Sequence, residues 1–250
     1  MLYFTFDGTF PGLLTAIYES YYQPEKPDGI TVQGQLELSL FDSAIHIKTD
    51  EAKAQKVLAA VSSKISAAAL SNIYYAYLAE HPEAPTAIYK YLQLGFKRGE
   101  KIDLDLARQD VFTVHTLGQK VRRERHRYLG LLRFVKLQGE IYYAQFEPEG
   151  NIVSILAPHF AKRFADQKWI IHDLQRNLAA VYQPREWYLA ELPPLPVTDL
   201  TGQAPQNKNF SRLWQSYFES IAVPNRTNPK LQMQNMPKKY WKYLTEKIDK

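Results

Sequence analysis

The hydrophobic period of this chain changes near Tyr128, and that change limits the architectures open to it. Up to that point apolar residues recur every three or four positions, the spacing of one helix face; beyond it they alternate or run together, as strands require. Leu2–Phe6 reads as a strand ending at the turn pair Asp7-Gly8. Leu13, Leu14, Ile17, Tyr18 and Tyr21 predict a helix from Phe10 to Tyr22, capped by Thr9, with Pro11 in its first turn. Residues 23–34 hold two prolines and two glycines and read as a loop. A short strand is expected around Ser43, His46 and Ile47. Helices are expected from the cap Asp50 through Ser63, over Ala67–Glu80, over Ala84–Arg98 and over Asp105–Arg127.

The second half predicts smaller pieces. Leu129–Leu137 and Ile141–Phe146 read as strands joined by a hairpin turn at Gln138-Gly139-Glu140. Asn151 is the expected cap of a helix through Phe164, followed by a strand at Trp169–Ile171, a helix over Asp173–Tyr182 and a strand over Glu186–Leu192. Pro193, Pro194 and Pro196 open a loop to about Asn209, and Phe210–Ile221 is helical through Leu213, Trp214, Tyr217 and Phe218. The remainder is basic and broken by Pro224, Pro229 and Pro237. The expectation is an α+β fold with a helix-rich N-terminal half, a mixed hairpin/helix/strand unit and a C-terminal basic helical segment. It is a single module over residues 1–250, with sub-regions 1–127, 128–192 and 193–250.

Composition narrows the function classes. Hydrophobic residues make up 45% of the 250, enough for a sizeable core. With no cysteine, the chain has no disulfide scaffold, thiolate metal site or cysteine nucleophile. No run approaches the roughly 18 apolar residues that span a bilayer. The N-terminus MLYFTFDGTF lacks a basic leader and reads as a first strand, so a soluble cytoplasmic protein without membrane association is expected.

The net charge of +5 is unevenly placed. Residues 1–60 carry eight acids against four lysines, residues 120–136 seven bases against Glu124, and residues 206–250 nine bases against three acids. Two basic zones on a near-neutral body suggest a phosphate backbone as partner, the alternative being a solvated basic face. On a helix Arg122 shares a face with Arg125, and Arg123 with Arg127, so guanidinium groups can track phosphates; alternatively they pair with Glu124 and other acids. Lys238-Lys239-Tyr240-Trp241 interleaves base and aromatic, as stacking on an unpaired base requires, or else its rings anchor the tail to the core. The expected nucleic-acid-binding set is Arg122, Arg123, Arg125, Arg127, Arg133, Arg163, Arg176, Lys238, Lys239, Tyr240 and Trp241.

His159, His172 and Asp173 are the candidates for acid–base chemistry, with Arg163 and Arg176 at hand for a phosphate. The competing reading makes Asp173 a cap, the arginines ion-pair partners and the histidines filler. The six histidines include no His-x-x-x-His pair, and neither a phosphate-cradling glycine loop nor a Gly-x-Ser-x-Gly elbow occurs, so no metal or cofactor is expected.

Several stretches together carry a resemblance. They are Phe6-Asp7-Gly8-Thr9-Phe10 with Gly12-Leu13-Leu14, Tyr128-Leu129-Gly130-Leu131-Leu132-Arg133-Phe134, Pro158-His159-Phe160-Ala161-Lys162-Arg163-Phe164 and Trp169-Ile170-Ile171-His172-Asp173. Further along come Leu213-Trp214, Tyr217-Phe218, Ile221-Ala222, Arg226, Asn228-Pro229 and Met236-Pro237-Lys238-Lys239-Tyr240-Trp241. In this order they resemble a bacterial family of DNA metabolism or repair proteins of unassigned chemistry. That family is similar to the module ahead of some uracil-DNA glycosylase domains. Its stand-alone members accompany a radical SAM enzyme assigned to DNA repair or modification. The resemblance implies DNA and that radical SAM protein as partners, and carries no catalytic residues over. Glycosylase activity is not expected without the fused domain, and a thiolate-held iron–sulfur cluster would belong to the partner. The leading expectation is an accessory protein that binds nucleic acid. The rival is a hydrolase or lyase acting on a nucleotide or DNA base through His159, His172 and Asp173.

Overall fold

Leu2–Phe6 (β1) carries Phe4 and Phe6 with no exposed surface, and the strand is parallel to both of its neighbours. A strand covered on both faces tolerates a run this apolar, with Thr5 its one interruption. The structure is a computed structural model and describes residues 1–35, 41–137, 140–193 and 228–244 together with Leu213, Ser216 and Lys247. Its contacts gather into two units, Met1–Arg122 and Arg123–Lys250, and the α+β expectation holds.

The first unit is helix-rich. Its sheet has the order β2-β1-β3, with β2 at Gly29–Val32 and β3 at Ser43–His46. α1 (Phe10–Tyr22) is the crossover from β1 to β2, and Thr9 accepts from Gly12 N at its start, as the sequence predicts. α2 (Glu51–Lys64), α3 (Ala67–Tyr77) and α4 (Ala84–Arg98) follow, the first two capped by Asp50 and Ser66. Leu13, Leu14, Ile17, Ile73, Ile88 and Leu92 are fully buried, each contributing about 1.5–3 kcal/mol. Gly95 leaves room for Ile65, whose Cδ1 would lie 2.6 Å from any Cβ there.

The second unit holds a sheet of order β4-β5-β6-β7-β8, made of Val135–Lys136, Ile141–Phe146, Lys168–Asp173, Leu178–Gln183 and Glu186–Glu191. β5 and β6 are parallel, joined through α6 (Val153–Arg163), and the other pairs are antiparallel. α6 buries Leu156 and Phe160, and Phe160 meets Trp169 of β6 edge-on. α7 (Pro229–Asn235) and a 3₁₀ turn at Lys238–Tyr243 lie in the C-terminal segment.

Four expectations change. Residues 23–34 contain β2, whose outer edge is satisfied because Thr86 Oγ1 accepts from Ile30 N at 3.0 Å and donates to Ile30 O at 2.9 Å. A side chain from α4 thus replaces a neighbouring strand. The long helix α5 runs over Gln109–Leu131 after a 3₁₀ turn at Gly99–Leu104, so Leu129–Leu131 end a helix and only Val135–Lys136 pairs with β5. Ile152, not Asn151, stands at the cap position of α6, and its own side chain makes no capping hydrogen bond. Asp173–Tyr182 is no helix: the Asp173 carboxylate accepts from the backbone N–H groups of Gln175 and Arg176, Asn177 adopts φ 52°, and the chain reverses into β7. The expected helix at Phe210–Ile221, apart from Leu213 and Ser216, and the turn residues Gln138 and Gly139 lie outside the described residues. Among the described residues no helix is long and apolar enough to cross a membrane.

Candidate nucleic-acid interface

The arginine run on α5 divides by what each side chain touches. In the first unit the Arg122 guanidinium lies 4.5 Å from the centre of the Tyr75 ring and donates to Ser71 Oγ and Asn72 Oδ1. In the second, Arg125 Nε donates to the Ile155 carbonyl, and Arg127 stands over the Tyr240 ring. Arg133 folds back on the carbonyls of Gly130 and Leu132. Arg123 is exposed, as is Arg163, which lies over the Phe164 ring. Buried Glu124 accepts from the backbone N–H groups of Glu149 and Gly150. The run therefore spends Arg122, Arg125 and Arg127 on packing and carbonyl contacts within the fold.

His159, His172 and Asp173 do not form one constellation. His172 and Asp173 are consecutive on β6, so they face opposite sides of the sheet. Both are fully buried. Tyr143 Oη and the Leu192 carbonyl occupy the two ring nitrogens of His172, and burial holds its pKa below the ordinary value. Burial pushes the Asp173 carboxyl up, against the pull of Arg176 at 2.9 Å. Arg176 also donates to the carbonyls of Pro148 and Glu149, clamping that loop. His159 is half-buried, with no hydrogen bond to either residue among the described residues and no partner for Nε2. These positions build structure: Asp173 caps a turn and Arg176 pairs with it.

The tail is docked within the second unit. Tyr240 is buried edge-on against Tyr128, and Trp241 donates from Nε1 to the Met236 carbonyl. Lys239 pairs with Glu149 at 2.6 Å and approaches Glu124 at 3.8 Å. Lys242 and the Tyr243 hydroxyl both donate to Glu147, whose carboxyl they hold below its usual range. Lys238 is exposed, 6.0 Å from the Trp241 ring.

Two features of the first unit escaped sequence reasoning. Asp103 accepts from Asn72, from the Tyr91 hydroxyl and from His115 Nε2, the last at 2.9 Å. The residues come from three helices and the 3₁₀ turn, with no shared motif to find them by. The second feature is a groove of about 520 Å³ between α1, α2 and α4, lined by Tyr18, Tyr21, Tyr22, Lys56, Lys64 and Phe96 among others. Tyr18 and Tyr22 stack at 4.6 Å and 26°, Tyr21 meets Phe96 edge-on, and Lys56 Nζ lies 5.8 Å from the Tyr18 ring. Tyr21 and Tyr22 are 45% and 69% exposed, too open for core residues. Desolvation pushes the Tyr21 phenol up to about 12, and the Tyr18 hydroxyl raises that of Tyr22. The Tyr21 and Tyr22 phenols are thus neutral at neutral pH. Lys56 and Lys64 make no salt bridge among the described residues, whereas neighbouring Lys53 is held by Glu19 at 2.7 Å. The repeated tyrosines at helical spacing were the available signal, and they read equally well as a buried face.

Among the described residues no group of three or more histidines or carboxylates is placed to hold a metal ion. No curated protein and no solved structure matches the chain. A family model described as a domain of unknown function, DUF4130, matches residues 82–246, more than half of the chain, and the protein belongs to that family.

Proposed function

We propose that this protein is a DNA metabolism or repair accessory factor that binds single-stranded nucleic acid and works beside a radical SAM enzyme. The observation carrying the nucleic-acid part is the groove of Tyr18, Tyr21, Tyr22 and Phe96 flanked by Lys56 and Lys64. Aromatic faces stack on any base, and lysines neutralise the phosphates between them. The neutral Tyr21 and Tyr22 phenols leave the positive potential of the lysines intact. Arg123, Arg163 and Lys238 add exposed positive charge in the second unit. The partnership, and the kinship with the module ahead of some uracil-DNA glycosylases, rest on the family resemblance of the motifs. The hydrolase or lyase reading has less support, because His172 is enclosed with both ring nitrogens occupied.

The test is sedimentation of the purified chain with a radical SAM enzyme of the kind the resemblance implies, with and without a single-stranded oligonucleotide. A complex of all three components supports the reading. A chain that binds neither at micromolar concentration and low salt overturns it.

A further inference from the structure

The groove of the first unit carries its charges and its rings on different walls. Lys56 and Lys64 stand eight residues apart on α2, Tyr18, Tyr21 and Tyr22 on α1, and Phe96 on α4. Both lysines are exposed, and among the described residues no carboxylate lines the groove. A ligand that follows both walls needs negative charge along one side and flat rings along the other, the layout of a single nucleic-acid strand.

The two walls run in step. Thr15 Oγ1 donates to the Asp50 carbonyl at 3.1 Å, Lys53 pairs with Glu19 at 2.7 Å, and Lys56 lies 5.8 Å from the Tyr18 ring. Contacts that advance together along both helices mean that α1 and α2 point the same way. α1 ends at Tyr22, whereas α2 continues to Lys64. Tyr22 is therefore the last ring of its wall, and it is 69% exposed. One of its faces stacks on Tyr18 at 4.6 Å, which leaves the other for a base. The Tyr18 hydroxyl raises the Tyr22 phenol while Lys56 and Lys64 both pull it down, so Tyr22 lies within electrostatic reach of both lysines.

The spacing of the lysines limits the length of strand they can grip. A helix rises about 1.5 Å per residue, which puts Lys56 and Lys64 about 12 Å apart along α2. Phosphates of a stacked strand are about 3.4 Å apart along its axis, and unstacking a base lengthens the step. We infer that this groove takes a short unpaired stretch of about three or four nucleotides, its phosphates along α2 and one base on Tyr22. A gap or a small loop in a duplex presents such a stretch. This footprint presupposes the single-strand binding proposed above and adds its extent and its lie.

The test is competition by fluorescence anisotropy on the full chain. Unlabelled oligothymidylates of about two to twelve nucleotides displace a labelled one, from the wild type and from Lys64→Ala. The wild type is expected to bind roughly three- to tenfold tighter than Lys64→Ala once the strand reaches about four nucleotides, and less than about twofold tighter for the dinucleotide. That ratio is expected to stay constant at greater lengths. A duplex with a gap of about four nucleotides is expected to compete roughly tenfold better than the same duplex intact, and Tyr22→Ala to remove most of that difference. A ratio that is the same for the shortest and longest strands, or that still grows beyond about eight nucleotides, overturns the footprint and leaves single-strand binding in place. Gapped and intact duplexes bound alike have the same consequence. A wild-type chain with no affinity for any of these strands at low salt overturns the proposed function and the footprint together.

Discussion

The Tyr143 hydroxyl meets Nδ1 of His172 at 2.8 Å, inside the sheet and out of reach of solvent. The other nitrogen faces the Leu192 carbonyl at 2.8 Å, and a carbonyl can only accept. The network therefore assigns the proton to Nε2 and leaves Nδ1 to accept from Tyr143. Protonating the ring would put a second donor against the tyrosine hydroxyl and a charge into the core.

A stability–pH relation follows. Burial holds the His172 pKa below its ordinary 6.5. A depressed folded-state pKa gives stability that is full above the unfolded value and is lost as pH falls through the folded one. Neighbouring Asp173, raised by burial, acts in the opposite sense in the carboxylate range, so the histidine is isolated by difference. Urea midpoints at about pH 7.5 and about pH 5.5 are expected to differ more in the wild type than in His172→Gln. The same pH dependence in both would remove His172 as the cause.

Arg176 neutralises the buried Asp173 carboxylate and ties down the carbonyls of Pro148 and Glu149. Removing one partner of a buried pair strands the other's charge. Arg176→Ala is expected to destabilise by about 3–5 kcal/mol in urea unfolding. A loss below about 1 kcal/mol, the range of exposed pairs, would contradict the role given to this clamp.

Arg122 and Arg123 are adjacent in sequence and differ in environment. Arg122→Ala loses a ring contact and two hydrogen bonds and is expected to cost about 1–3 kcal/mol. Arg123→Ala, at an exposed position, is expected to stay within about 0.5 kcal/mol of wild type. Equal effects on the urea midpoint would contradict this division of the run.

In the tail, Tyr240→Ala empties a buried site against Tyr128 and is expected to cost about 3–5 kcal/mol. Lys242→Ala removes an exposed ion pair and is expected to cost less than about 1 kcal/mol. The reverse order, in thermal or urea unfolding, would mean that charge and not the buried ring holds this segment.

What the sequence revealed depended on how local the determinants were. Thr9 and Asp50 cap the helices they precede, as read, and the 3.6 period located α1, α2 and α4 closely, because capping and one-sided burial act within a few residues. β2 was hidden because its ladder partner is β1 and its outer edge is closed by Thr86 from a helix 56 residues away. Asp173 was a cap in sequence and is one in the fold. What it caps is a turn, and only the pairing of β6 with β7 decides that. For the candidate sites, charge density pointed to the arginine run, yet a helix face gives no hint that Ser71, Asn72 and the Ile155 carbonyl will claim its guanidinium groups. The groove was missed for the converse reason. Tyr18, Tyr21 and Tyr22 have the spacing of a core face, and their exposure depends on where α2 and α4 stop covering them.

The most direct test of nucleic-acid binding is the salt dependence of affinity for a labelled single-stranded oligonucleotide, by fluorescence anisotropy. For a single strand, log K falls against log salt by about 0.7 for each phosphate neutralised. Lys56→Ala with Lys64→Ala is expected to make that slope shallower by roughly one. Tyr22→Ala is expected to leave the slope unchanged while costing about 1–3 kcal/mol of binding free energy. A wild-type chain without measurable affinity at low salt, or one whose binding is indifferent to all three substitutions, would contradict the assignment of this groove as the nucleic-acid platform.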